Sequence, residues 1–375
     1  MNTFSFKNNV LYAESVAVTA LMVEYGSPLY IYSRAQIVSN WQQFDRAFGD
    51  HPHLVCYAVK ANSNLSVLSV LAKLGSGFDI VSIGELERVI AAGGKPERCV
   101  FSGVSKTKTE IRRALELGIY CFNVESAAEL DRVESVAKLM STKAPISIRV
   151  NPDVDANTHP YIATGLKENK FGVPETEAIS MYRRVHDSEV MDVRGIDCHI
   201  GSQITQLLPY FEARDRLLNV IDALAKDDIV LEHFDLGGGF GINYDDEPTF
   251  DIEGFGKKVA APIAARGLEL IVEPGRYLIA DAGVLLTRVE YLKRAPSSDY
   301  KNFAVVDAAM NDLIRPALYG AHHPIETVSA AEAEPSGCDI VGPICESGDF
   351  LATDRKLALD HDSLIAILRS GAYGM

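Results

Sequence analysis

The feature that most constrains this sequence is a rhythm. Eight short apolar runs each close in polar residues or glycine, and stretches of helical periodicity lie between them. The runs are Leu54–Asn62, Gly77–Ser82, Cys99–Gly103, Tyr120–Ser126, Pro145–Pro152, Val193–Gln203, His233–Gly241 and Glu269–Gly275. Intervening segments such as GELERVIAAGG and KTEIRRALELG place apolar side chains three and four apart and end in glycine, as helices with glycine C-caps do. Strands alternating with helices predict a parallel sheet. An open doubly wound sheet fits the alternation equally well; the count of eight favours a closed (β/α)8, or TIM, barrel.

After Gly275 the rhythm changes to strand-like runs without intervening helices, which predicts a β-rich second domain. The N-terminal segment ending in PLYIYS is also strand-like and is expected to join it. The expected organisation is a barrel over 34–279, with 1–33 and 280–375 forming the β-rich domain. The 375 residues suit two domains, and 47% hydrophobic content excludes disorder as the main state.

A net charge of −15 argues against nucleic acid or an anionic membrane surface as the partner. The six cysteines are dispersed without a C-x-x-C pair, as in a reduced intracellular protein. No signal-peptide layout opens the chain, and no run approaches the roughly 18 apolar residues of a membrane span. A cytoplasmic location is expected.

In such a barrel the chemistry sits at the carboxyl ends of the strands. The polar residues there are Lys60, Asp79 with Ser82, Ser102, Asn123 with Glu125, Arg149, His199 with Ser202, Gly237–Gly239, and Glu273 followed by Arg276. A lysine at a buried strand end must lose its proton, find a counter-ion or do covalent work such as Schiff-base chemistry with an aldehyde cofactor. Gly237–Gly241 is either a tight turn or a set of backbone N–H donors for a phosphate, and it is not in register with G-x-G-x-x-G. Glu273 is either an arginine's partner or the carboxylate that keeps a pyridine nitrogen protonated. His199 reads as a core histidine or a stacking platform. Cys345, beside Glu346, suits a proton donor better than a nucleophile. His322-His323 reads as a surface turn, and no metal site is expected.

Several of these segments carry a family resemblance. YAVKAN (Tyr57–Asn62), HIGSQ (His199–Gln203), Gly237–Gly241, EPGR (Glu273–Arg276) and CESGD (Cys345–Asp349) occur in the order seen in pyridoxal-phosphate (PLP)-dependent decarboxylases with an alanine-racemase-like barrel. The segment Arg149–Gly172, RVNPDVDANTHPYIATGLKENKFG, resembles the diaminopimelate decarboxylase family more than ornithine or arginine decarboxylases. The likeness runs from about Tyr25 to the last residue.

The resemblance implies decarboxylation of meso-2,6-diaminopimelate to L-lysine, the last step of lysine biosynthesis, with PLP as cofactor. The alternatives are decarboxylation of another basic amino acid, or a related racemase. Lys60 would carry PLP, His199 would stack on its ring, and Ser202, Gly239, Pro274, Gly275 and Arg276 would hold its phosphate end. Glu273 would pair with the ring nitrogen, and Asp79 and Arg149 would be further cofactor contacts. Arg276, Arg315, Tyr319, Glu346 and Tyr373 would bind substrate, Tyr373 touching the cofactor as well. Cys345 would donate the proton, offered with Glu346 across a homodimer interface. The family pattern continues past Met375 into a further strand. The sequence is therefore expected to be short of that end and less stable or active than a longer form.

Overall fold

The computed structural model describes residues 3–155, 165, 169–245, 249–297, 299–329 and 333–374. The chain divides into two compact units, Met1–Ser39 with Asn243–Glu247 and Arg276–Met375, and Asn40–Ile242 with Pro248–Gly275.

Four strands come first: β1 (Phe4–Lys7), β2 (Val10–Ala13), β3 (Val16–Ala17) and β4 (Leu29–Tyr32). The first three form an antiparallel sheet of their own. The strand-like reading of this segment fails over Val18–Tyr25, which is a helix ended by Gly26 at φ +81°. Val18 and Met22, one helical turn apart, are buried with Leu11, Val284 and Leu286. Packing of that pair outweighs the β-propensity of the valines.

The barrel strands are β5 (His53–Ala58), β6 (Gly77–Ile80), β7 (Cys99–Phe101), β8 (Cys121–Val124), β9 (Ala144–Arg149), β10 (Met191–Asp197), β11 (His233–Asp235) and β12 (Glu269–Val272). They pair in chain order, and β12 closes on β5 through Leu270↔His53 to Val272↔Val55. Each lies within or beside one of the eight apolar runs. Helices cover the outer face, so both faces of the strands are buried and the sequence reads as continuous apolar runs. Leu54 and Cys56 of β5, Val100 of β7, Cys121 of β8 and Ile271 of β12 pack together as one core cluster.

Short strand-to-helix loops are fixed by capping. The side chains of Ser82, Thr107 and Ser126 accept from the backbone N–H of Glu85, Glu110 and Glu129, three residues on. Glu85 and Glu129 reach back to the N–H of Val81 and Glu125. The loops that carry strand-end side chains are therefore tied to the helices that follow.

The other unit adds β13 (Gly283–Lys293), β14 (Phe303–Val306), β15 (Ile325–Thr327), β16 (Ser336–Val341), β17 (Phe350–Leu357) and β18 (Leu364–Ile367). They are ordered β15-β18-β13-β14-β16-β17, and β4 also pairs with β13. The N-terminal segment thus joins the C-terminal sheet as expected. Alternate residues of β13 serve two cores, Val284 and Leu286 on one face and Leu285 and Val289 on the other. The expectation of no helices beyond Gly275 is corrected by two short ones, Arg276–Ile279 and Arg315–Tyr319. The second carries legible signals, Pro316 in its first turn and Gly320 at its left-handed C-cap. Among the described residues no helix is long and apolar enough to cross a membrane.

Candidate active site

Seven charged side chains gather at the carboxyl ends of the barrel strands. Lys60 follows β5 in a single 3-10 turn, and its Nζ lies 2.5 Å from Oδ2 of Asp79 in β6. The ammonium is partly exposed, whereas Asp79 is fully buried. Arg149 ends β9 and pairs with Glu125 at 3.3 Å and Asp197 at 3.8 Å, its guanidinium 4.9 Å from the centre of the Phe171 ring. Asp197 ends β10, Asp235 ends β11 and Glu273 follows β12. One carboxylate oxygen from each of these three lies within 4.8 Å of the others, all buried.

Five buried acids, Asp79, Glu125, Asp197, Asp235 and Glu273, thus face two cations, Lys60 and Arg149. The excess negative charge has a titration consequence. Burial first, then neighbouring carboxylates, push Asp197 and Glu273 well above their ordinary range. Asp235 is pushed up to about 6 by burial, opposed by the Gly237 N–H that it accepts. Oε1 of Glu273 is buried and has no hydrogen-bond partner among the described residues. A buried carboxyl oxygen in a region of surplus negative charge matches a cationic N–H donor, and a protonated pyridine nitrogen is such a group.

The same groups set a pH dependence. Folded Asp197, Asp235 and Glu273 hold protons that the unfolded chain releases above about pH 4. Their contribution to stability is complete on the acid side and declines as pH rises through the folded values, with Asp235 near 6. Asp235→Asn keeps the acceptor for Gly237 but removes one charge. Urea midpoints of the cofactor-free protein near pH 5 and near pH 8 should therefore differ less in the variant than in the parent. An unchanged difference would show that the Asp235 carboxyl carries no such strain.

His199 lies just beyond β10, its Nδ1 accepting from the Gly201 N–H at 3.3 Å. Enclosure, then the charges of Arg149 and Lys60, hold its pKa well below 6.5, so the ring is neutral. The glycine turn lies against the same segment. Gly239, at φ +92°, approaches so closely that a Cβ would stand 2.3 Å from the Gly201 carbonyl oxygen. Gly237, at φ +68°, accepts from the Glu273 N–H at 2.8 Å. Behind the turn Tyr210 stacks on Phe240 at 5.1 Å and donates to the Gly238 carbonyl. Ser202 is half-buried beside this turn's partner segment; Pro274 and Gly275 are buried, Gly275 against Ala58 and Ala61.

The β-rich unit has its own charged group. Arg276 Nη1 donates to the Tyr244 hydroxyl at 2.9 Å, and its guanidinium lies 4.8 Å from the centre of the Tyr373 ring. Arg315 lies 4.4 Å from the centre of the Tyr244 ring and 2.7 Å from Nε2 of His323. Tyr319 is half-buried and contributes electrostatically to both arginines. The surface-turn reading of His322-His323 is corrected here: His323 is fully buried, bonded to Arg315 and to the Leu368 carbonyl. Cys345 and Glu346 are exposed on a loop fixed by the buried carboxylate of Asp349, which accepts from the N–H groups of Met310 and Ile344.

Sequence reasoning passed over Asp197, Asp235 and Tyr244, and misplaced His323 at the surface. The strand-end rule was sufficient to find the first two. No local signal marks the others. Of the segment Arg149–Gly172, residues 156–164 and 166–168 lie outside the described residues.

The barrel and its strand-end charges define a class. The family model for the pyridoxal-binding domain of pyridoxal-dependent decarboxylases matches residues 34–280, and the chain belongs to that family. It is 54% identical to diaminopimelate decarboxylase of Pseudomonas aeruginosa over 374 residues, 100% of this chain and 89% of that protein. Identity to the diaminopimelate decarboxylase of Vibrio cholerae is also 54%, with the same coverage. The crystal structure of the Helicobacter pylori diaminopimelate decarboxylase complexed with L-lysine matches with a TM-score of 0.91 at 44% identity, over 95% of this chain and 89% of that one. Within the wider class, the chain is a member of the diaminopimelate decarboxylase family.

Proposed function

We infer that this chain decarboxylates meso-2,6-diaminopimelate to L-lysine, with pyridoxal phosphate as cofactor. The observation that carries the reading is the pairing of a strand-end amine, Lys60 on Asp79, with a buried carboxyl oxygen of Glu273 that lacks a partner among the described residues. The first fits covalent capture of an aldehyde and the second a ring nitrogen held protonated. Full-length likeness to diaminopimelate decarboxylases supports the substrate.

When bound, the cofactor supplies an aldehyde for the substrate amine and a ring that takes up the electrons of the broken Cα–carboxylate bond. Lys60 would hold it through its amine, and Asp79 positions that amine. Glu273 would accept from the ring nitrogen and favour its protonated form. His199, neutral, offers a flat face without adding charge. Ser202, Gly239 and the Gly275-Arg276 turn would hold the phosphate, with Pro274 setting the turn, and Arg149 would be a further cofactor contact.

The substrate carries an amino-acid group at both ends, so one must be held while the other reacts. Arg276 and Arg315 suit the distal carboxylate, with Tyr319 and Tyr373 beside them, and Glu346 suits the distal ammonium. Ornithine lacks the distal carboxylate and would offer the arginines no such acceptor. Cys345 delivers the proton to Cα. Exposure of Cys345 and Glu346 on a prefixed loop favours a homodimer in which each chain serves its partner's site. A cytoplasmic setting follows from the lysine-forming role.

Release of carbon dioxide and L-lysine from meso-diaminopimelate, dependent on added pyridoxal phosphate, is the expected result of a direct assay. Lack of both products with cofactor present would overturn the reading.

A further inference from the structure

Arg315 is a buried cation with another cation, Arg276, as its charged neighbour. Among the described residues its partners are not carboxylates but the Tyr244 ring face and the His323 imidazole. Removing a guanidinium from water without a counter-ion is costly, and the geometry survives only if something else holds it. His323 is built to do so. Its Nδ1 lies 3.1 Å from the Leu368 carbonyl oxygen, which can only accept, so Nδ1 carries the proton and Nε2 offers a lone pair. That lone pair meets Arg315 Nη1 at 2.7 Å. Burial together with Arg315 holds the ring pKa down to about 3, so it stays neutral in ordinary buffers.

Tyr244 links the two arginines. Its hydroxyl accepts from Arg276, its face lies beneath Arg315, and its edge meets the His323 ring at 5.1 Å and 73°. Each arginine therefore has the Nη1 of its donor fork held, Arg276 by the Tyr244 hydroxyl and Arg315 by Nε2 of His323. Fixing them in advance spares the ordering cost that a flexible arginine incurs on binding.

We propose that His323 and Tyr244 are positioning residues that pre-aim Arg315 and Arg276 at the substrate's distal carboxylate, and so determine selectivity for an amino acid with a second carboxylate. This rests on the decarboxylase reading above and adds the residues that make its arginine pair selective.

The test uses holoenzyme and meso-diaminopimelate. His323→Asn keeps a donor near Nδ1 but has nothing at the Nε2 position; His323→Gln places an amide oxygen near Nε2. The expected result for the Asn variant is a KM raised about tenfold with kcat within about threefold, because the lost contact is uniform binding at a remote group. The Gln variant should recover KM to within about threefold of the parent. Tyr244→Phe, which leaves no void, should raise KM about threefold or more through Arg276 alone. An unchanged KM in both the Asn and Phe variants overturns the proposal, as does a loss confined to kcat or equal behaviour of Asn and Gln. Failure of the parent enzyme to release carbon dioxide would instead overturn the activity itself, so the two failures are distinct.

Discussion

Lys60→Ala, mixed with pyridoxal phosphate and reduced with borohydride, should carry no cofactor label, and its turnover should fall by about 10³-fold or more. A single positioned proton-transfer group is worth about 10² to 10⁴ in rate, and this substitution removes the point of covalent attachment as well. The location of the amine explains why no other lysine replaces it. Lys60 sits directly beyond β5, is partly exposed, and is held 2.5 Å from Asp79. Lys106, a second lysine near the strand ends, is buried and donates to Glu129 and the carbonyls of Gly103 and Asn123. Lys60→Arg is the control, since it preserves the charge opposite Asp79 without an amine that can condense. It should fold like the parent and be equally inactive. A label on another side chain in Lys60→Ala, or retained turnover, would refute the assignment.

The barrel was legible because its signal is local. Each of the eight apolar runs contains or overlaps a strand whose two buried faces leave no alternation to misread, and glycines close two of the helical stretches between them. Lys60, Asp79, Arg149 and Glu273 follow from the same reading, since strand ends are where a parallel barrel exposes polar side chains. Asp197 and Asp235 end their strands too, but each is followed by a more conspicuous group, His199 and the glycine turn. Their importance comes from mutual proximity across β10, β11 and β12, which no single run displays.

The β-rich unit was harder to read because its contacts are distant in sequence. Tyr244 lies 32 residues before Arg276, and His323 bonds to Leu368 across 45 residues. A doubled histidine in a polar stretch looks exposed until that return of the chain buries it. Val18–Tyr25 failed for the same reason, because its helical state is set by packing against Val284 and Leu286 from the far end of the sequence.

Glu273→Gln should separate stability from activity in opposite directions. The glutamine imitates the proton-bearing carboxyl, which burial and Asp235 already favour in the cofactor-free chain. It removes one of five buried acids, and the backbone N–H bond to Gly237 does not involve the side chain. The cofactor-free variant should therefore match or exceed the parent's urea midpoint near pH 8, where the parent has the most negative charge to confine. Turnover should fall by about 10²-fold or more, the scale lost when one preorganised electrostatic partner of a reacting system is removed. The reason is directional: an ionised carboxylate accepts and stabilises a proton on a ring nitrogen, whereas an amide oxygen does so without charge. A site that keeps a strained acid for this purpose sacrifices stability for reactivity. Concordant loss of midpoint and turnover would make Glu273 a structural residue, and retention of both would leave the ring nitrogen without its partner.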